Sequence, residues 1–396
     1  MSMKVNQDLN KLAQEKRGSR MGRRRGFSKR WVVTGAICVL LLGSEPLGWA
    51  IIPVNAAEDV ATFTTVEQMK SKLSEGLKAR QTTITFRYKG VTQELDSKLI
   101  SAVEGALNAD PYTKYIVDRY SYSWRGTSSS AKITLKIEYR ETAEQTAYVQ
   151  QRVKQILQKI IQPGMDTHQK IKVIHDFVVL NLKYDTDLQK YTAYEGLRTG
   201  EAVCQGYALL TYQLLRNAGV DSRVVEGTAD GQLHAWNMAK VDGHWYHLDT
   251  TWDDPVPDVA GQVNYTYYLR TDKQMSKDHI WAINNYPRTT GTYREALDAL
   301  ANQGGAKQEA YVDLKKQLGY NLYDDDAAVV NASGLAGRVQ EELKANSKKA
   351  VVRYAGPEDQ LLDDLAALYE LGLMDISYLA QPLEGTWDLR VEIYWE

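Results

Sequence analysis

Apolar positions along this chain follow two rhythms. Met69, Leu73 and Leu77 recur at i, i+4 and i+8, which predicts a helix over residues 66–80. Ile84, Phe86 and Tyr88 alternate with Thr85 and Arg87, predicting a strand over 81–89. A second helix over 95–109 stops at Asp110-Pro111, and a second strand over 132–139 puts Ile133, Leu135, Ile137 and Tyr139 on one face. The C-terminus repeats this order. Leu343-Lys344-Ala345 and Tyr354 stand 266 positions after Leu77-Lys78-Ala79 and Tyr88. A helix over 359–373 follows, and Leu389-Arg390-Val391-Glu392 matches Leu135-Lys136-Ile137-Glu138. We read residues 62–140 and 327–396 as two copies of one helix–strand–helix–strand module.

Between the copies lie predicted helices over 143–161 and 167–182, joined by Pro163-Gly164-Met165-Asp166, with Asp166 or Thr167 as cap. A helix after Cys204 closes at Gly219, and strands are expected over 222–227, 234–241 and 244–249. Asp242-Gly243 is a two-residue hairpin signal. The middle domain spans 143–287, and the polar tract 288–326 reads as a helical linker. Residues 1–57 carry a basic region ending at Arg30, an apolar run from Trp31 to Gly43 and small residues to Ala57. That order describes a secretory signal peptide, or a signal anchor if the leader is retained. Arg24-Arg25-Gly26-Phe27-Ser28-Lys29 also resembles a twin-arginine signal, with general secretion as the default. The expected location is secreted or at a bacterial cell envelope, with membrane contact only through an uncleaved leader.

The net charge of -2 gives no global signal for nucleic acid. The count of 25 Tyr against 4 Phe fits wet binding surfaces or tyrosines half-buried in sheets. Of the two cysteines, Cys38 lies in the leader, so Cys204 stands alone after cleavage and no intramolecular disulfide can form. An unpaired thiol outside the cytoplasm is a chemical liability, which favours a functional reading. Cys204, His234 and Asp249 follow one another as nucleophile, base and orienting group would. A free thiol titrates near ~8.5, so thiolate at neutral pH needs about 3 kcal/mol. A helix N-terminus supplies about 0.3–1 kcal/mol, about 2 at best, and an imidazolium must supply the rest. The hairpin turn pairs 241 with 244 and hence 236 with 249, making His234 and Asp249 diagonal neighbours on one face.

Other groups have weaker claims. Gly206 permits close backbone approach. The Cys204 N–H is an oxyanion donor, with Tyr184, Tyr194 and Gln205 as candidates for a second. Trp236 and Trp252 flank the partner residues, as groove walls or as core. His168 and His175 fit capping or surface roles. His244 and His247 face opposite ways, and the Asp253-Asp254-Pro255 tract with Asp258 lacks calcium-loop spacing. No metal or cofactor is expected.

Cys204-Gln205-Gly206-Tyr207-Ala208, His234-Ala235-Trp236-Asn237 and Asp249 together resemble the bacterial transglutaminase-like superfamily of papain-like thiol enzymes. The resemblance covers about 166–287. It implies an α+β fold of helices on an antiparallel sheet, here flanked by the two small modules. It implies Cys204 as nucleophile, His234 as base, Asp249 as orienting partner, a thioester intermediate and a protein or peptide substrate, cell-wall peptide included. Animal transglutaminases carry a tryptophan before the cysteine that helps the oxyanion site, and none lies between Trp124 and Cys204. Hydrolysis therefore stands beside cross-linking. Two other readings stand with the enzyme: a non-catalytic binding or assembly protein, and a first module acting as a removable pro-segment.

Overall fold

The computed structural model describes residues 60–258 and 261–396. The leader expected over 1–57, with Cys38, lies outside them. The fold is α+β and divides into two compact units between Tyr293 and Arg294.

The first unit opens with β1 (Thr62–Phe63), α1 (Val66–Lys78), β2 (Thr83–Lys89), α2 (Leu95–Asn108), α3 (Pro111–Ile116), β3 (Val117–Thr127) and β4 (Ser130–Tyr139). The strands form a sheet in the order β1-β2-β4-β3. Met69, Leu73 and Leu77 of α1 and Leu99 and Val103 of α2 bury against Phe86, Tyr88, Ile133 and Leu135. The sequence predicted two strands here and the sheet has four. In β3 the buried Tyr120 and Tyr122 alternate with serines and Asp110-Pro111 starts a helix as well as ending one, because the Asp110 carboxylate accepts from the Tyr112 and Thr113 N–H groups.

Next come α4 (Ala143–Ile160), α5 (Thr167–Asn181), β5 (Lys183–Tyr184), α6 (Ala193–Thr199), β6 (Glu201–Ala202) and α7 (Cys204–Asn217). Then follow β7 (Ser222–Ala229), β8 (Gln232–Val241), β9 (His244–Leu248), α8 (Asp272–Met275) and β10 (His279–Trp281). Asp166 caps α5 in a reciprocal box with Gln169. The second sheet is antiparallel, in the order β10-β7-β8-β9. Its hairpins turn at Asp230-Gly231 and Asp242-Gly243, all four residues at positive φ, so β7 and β8 run farther than the sequence predicted.

The first module is built into this core. Tyr115 packs beside Ala208, Val224 and Ala235. The buried Glu141 carboxylate accepts from the Tyr112 and Thr146 hydroxyls at 2.8 and 3.2 Å and from the Tyr194 N–H at 3.2 Å. These shared contacts tie the first module to the middle domain.

The second unit holds α9 (Tyr293–Asn302), which starts at the divide, α10 (Gln308–Gln317), β11 (Ala328–Val329), α11 (Ala332–Lys344), β12 (Lys349–Tyr354), α12 (Leu361–Ala366), β13 (Ser377–Pro382) and β14 (Leu389–Tyr394). Its sheet order is β11-β12-β14-β13. Ile393 lies opposite Ala350, as Leu135 lies opposite Ile84. The last strand therefore corresponds to β4 with a shift of four residues from the match read in the sequence. Among the described residues no helix is long and apolar enough to cross a membrane.

Candidate functional site

Cys204 is the first residue of α7, half-exposed, and the backbone leads into it through a tight splice. Strand β5 pairs in parallel with β6, and the Val203 N–H donates to the Lys190 carbonyl at 2.8 Å. At Gly206 an added Cβ would lie 2.6 Å from the Ala202 Cβ and 3.1 Å from the Thr192 carbonyl oxygen. Glycine is required there by close approach, since both neighbours are held by backbone. Gly206→Ala is expected to cost about 1–3 kcal/mol by overpacking, read as a lower urea midpoint, and to slow thiol labelling by displacing the start of α7.

The hairpin arithmetic holds. Val241 pairs with His244, and the ladder keeps register to Asn237 and Leu248. The His234 Nε2–H donates to Asp249 Oδ2 at 2.6 Å. That leaves Nδ1, and the Cys204 side chain also bonds this ring. Burial alone would lower the proton affinity of His234, but the Asp249 charge, its hydrogen bond and the thiol push its pKa up to about 10. Asp249 is fully buried, which disfavours its charge, yet the two histidines that bond it hold it well below the usual carboxylate range. The Thr251 and Trp252 N–H groups fix its other oxygen at 2.9 and 3.2 Å.

The second of those histidines is His279, which the sequence reading missed. Its Nε2–H donates to Asp249 Oδ2 at 3.1 Å, and its Nδ1 meets Asp278 Oδ1 at 2.5 Å. It is fully buried and edge-on to Trp252 and Trp236, at 4.7 and 5.0 Å between centroids. Its strand, β10, has three residues and no periodicity to read. Only the pairing of β10 with β7 brings it here. His234, Asp249 and His279 offer three ligand atoms within 4.8 Å of one another. Both histidines share one carboxylate oxygen at hydrogen-bond length, so each ring has its polar partner in this arrangement.

The remaining candidates separate. Tyr184, carried on β5, is half-buried and senses the Cys204 charge; burial first and that charge second push its hydroxyl up to about 12. The Gln205 amide donates to the Tyr115 carbonyl at 3.0 Å, which removes it from the oxyanion candidates. The Tyr194 ring packs on Tyr148 and its N–H on Glu141, away from the thiol. Trp236 is core: its Nε1–H donates to His247 Nδ1 at 2.9 Å. Trp252 is half-buried against His279 and His234, where it can wall a groove.

The helix histidines, expected at the surface, are buried. His168 bonds Asp242 and Tyr293, and His175 bonds Asp253 at 3.0 Å and Asp176 at 3.3 Å. The acidic tract is divided among partners: Asp253 with His175, Asp254 with the Tyr207 hydroxyl at 2.5 Å and Asp258 with Lys183 at 2.8 Å. The His175–Asp253 pair ties α5 to the segment that carries Asp249.

Residues 154–250 match the model of the Transglutaminase-like superfamily. The middle domain is transglutaminase-like. Mouse kyphoscoliosis peptidase is 22% identical over 210 residues, covering 46% of this chain and 32% of that protein. Its human counterpart is 24% identical over 188 residues, covering 41% of this chain and 28% of its own length. The chain thus spans about a third of the length of these relatives. A solved TGase shares 11% identity at a TM-score of 0.26, covering 49% of this chain and 59% of that one.

The transglutaminase-like domain carries a stability signature of its own. The His234 pKa rises from 6.5 to about 10 on folding, so its contribution is full below pH 6.5 and is lost as pH rises through about 10. Asp249 is lowered, so its contribution is present above its ordinary 3.8 and is lost as pH falls through its lowered value. Urea midpoints are expected to be highest between about pH 4 and 6.5 and to fall toward pH 10, with the alkaline fall reduced in His234→Ala.

Proposed function

We propose that this chain is a cysteine-dependent acyl-transfer enzyme acting on peptide or side-chain amide bonds through a thioester. One observation carries this reading: a half-exposed sulfur at a helix N-terminus shares His234 with a buried carboxylate that accepts from the far ring nitrogen. The Cys204 thiolate attacks the amide carbon, and the Cys204 N–H faces the oxyanion that forms. His234 gives its proton to the leaving amine as the C–N bond breaks and the thioester forms. It then takes a proton from water or an incoming amine, which attacks the thioester, and keeps that proton as the sulfur departs as thiolate, restoring the starting pair. Trp252 packs beside the His234 ring, and the Tyr184 hydroxyl is near enough to feel the Cys204 charge.

We further infer action at the bacterial cell envelope, supported by the export pattern of residues 1–57, on a protein or wall-peptide substrate. Duplication of residues 62–140 and 327–396 is supported by parallel pairs at the same 266-residue offset, Thr62 with Arg87 and Ala328 with Arg353.

The test is incubation with a glutamine-containing protein, with and without a labelled primary amine. Amine incorporation identifies a transferase, and new chain ends or free ammonia a hydrolase. Neither product, with a thiol no more reactive than free cysteine, overturns the enzyme reading.

A further inference from the structure

The outward face of the first sheet has an unusual composition. Over 83–89, 119–125 and 132–138 its outward positions are Thr83, Thr85, Arg87, Lys89, Arg119, Ser121, Ser123, Arg125, Lys132, Thr134, Lys136 and Glu138. Each is a cation or a hydroxyl except Glu138, which pairs with Arg119 at one end. The aromatic residues Phe86, Tyr88, Tyr120 and Tyr122 all point into the core.

Register sharpens the pattern. Arg87 lies directly opposite Lys132, and Lys132 directly opposite Arg125. Three exposed cations thus stand in one row across adjacent strands, about 5 Å apart. Like charges directly opposite are destabilising. Among the described residues none of the three has an acidic partner within ion-pairing distance. The next row, Thr85, Thr134 and Ser123, is all hydroxyl.

The sheet of the second unit, with the same strand order, handles equivalent positions differently. Arg353 lies opposite Arg390 as Arg87 lies opposite Lys132. There Arg353 is paired with Asp388, and Arg390 and Lys349 share Glu392 at 2.7 and 2.5 Å. One fold therefore neutralises the row in one unit and leaves it bare in the other. A bare row that costs stability marks a surface kept for a ligand.

We propose that this face binds a linear phosphate polymer that carries no bases. Arginine forks, lysines and rows of hydroxyl donors suit phosphate oxygens recurring along a strand. A sheet that reads single-stranded nucleic acid needs outward aromatic residues for base stacking, and this face has none. The inference does not depend on the thiol chemistry.

The probe is end-labelled long-chain inorganic polyphosphate, titrated with the full chain by fluorescence anisotropy. Binding is expected at 50 mM NaCl. If three phosphates are neutralised, a sixfold rise in salt weakens it about fortyfold. The triple substitution Arg87→Gln, Arg125→Gln, Lys132→Gln is expected to weaken it at least tenfold while leaving the thermal midpoint unchanged or raised. Lys70→Gln, Lys72→Gln, Lys78→Gln removes the same charge from α1, on the opposite side of the sheet, and is expected to retain binding. No binding by the parent chain, equal binding by the sheet triple or equal loss in the α1 triple would overturn the proposal. So would oligo-dT binding as tightly as polyphosphate, which would assign the face to nucleic acid.

Discussion

His234→Ala is expected to slow iodoacetamide labelling of Cys204 at pH 6 about tenfold, and to lower acyl transfer far more. A free thiol with pKa near 8.5 is about 0.3% ionised at that pH. An imidazolium neighbour that brings a thiol to half ionisation raises the reactive fraction about 150-fold. Nucleophilicity falls with basicity at a Brønsted slope of about 0.4–0.5, which returns about a factor of ten. The net gain in alkylation is therefore about one order of magnitude. Acyl transfer also needs His234 to protonate the leaving amine, a role worth about 10²–10⁴-fold by itself. The two readouts should diverge: a modest drop in labelling and a drop of about 10³-fold or more in amine incorporation or cleavage. A Cys38→Ser background keeps the label on one sulfur. Equal labelling rates with and without His234 would mean that the ring does not activate the thiol.

The His234–Asp249 pairing was legible because its geometry is local. A two-residue turn at Asp242-Gly243 sets the register, and register alone brings residue 234 beside 249. Helix rhythm likewise placed α1, α5 and α7 to within two residues. What escaped was set by partners distant in sequence. β3 interleaves serines with its buried tyrosines, so its pattern reads as surface loop until β4 pairs with it. His279 lies 30 positions beyond Asp249 and reaches it only through sheet order. Gln205 looks like an oxyanion donor by adjacency to Cys204, but the first module supplies a carbonyl that claims its amide. His168 and His175 sit on an amphipathic helix, and no single helix reveals that both sides will be covered.

Replacing Asp249 is expected to damage both stability and catalysis, in proportions that depend on what replaces it. Asp249→Ala leaves four buried donors without their acceptor: His234 Nε2, His279 Nε2 and the Thr251 and Trp252 N–H groups. Breaking a buried charge pair from one side costs about 3–5 kcal/mol. In a unit of this size that lowers the thermal midpoint by about 10 °C. His279→Ala removes one donor and leaves Asp249 its other three, so about 1–3 kcal/mol is expected. Asp249→Asn should spare more stability and still disable the site. Two backbone N–H groups hold Oδ1, so the amide oxygen must stay there and the NH₂ group takes the place of Oδ2. It then faces two ring nitrogens that both donate in the parent protein. To accept from that amide, His234 must move its proton to Nδ1, the nitrogen toward the sulfur, and a ring protonated there cannot take the thiol proton. Inverting a tautomer in this way costs about 10⁴-fold in the comparable serine triad. Thermal midpoints and amine-incorporation rates on the same preparations check the argument. An Asp249→Asn protein active to within a few fold of the parent would show that His234 is oriented by something other than this carboxylate.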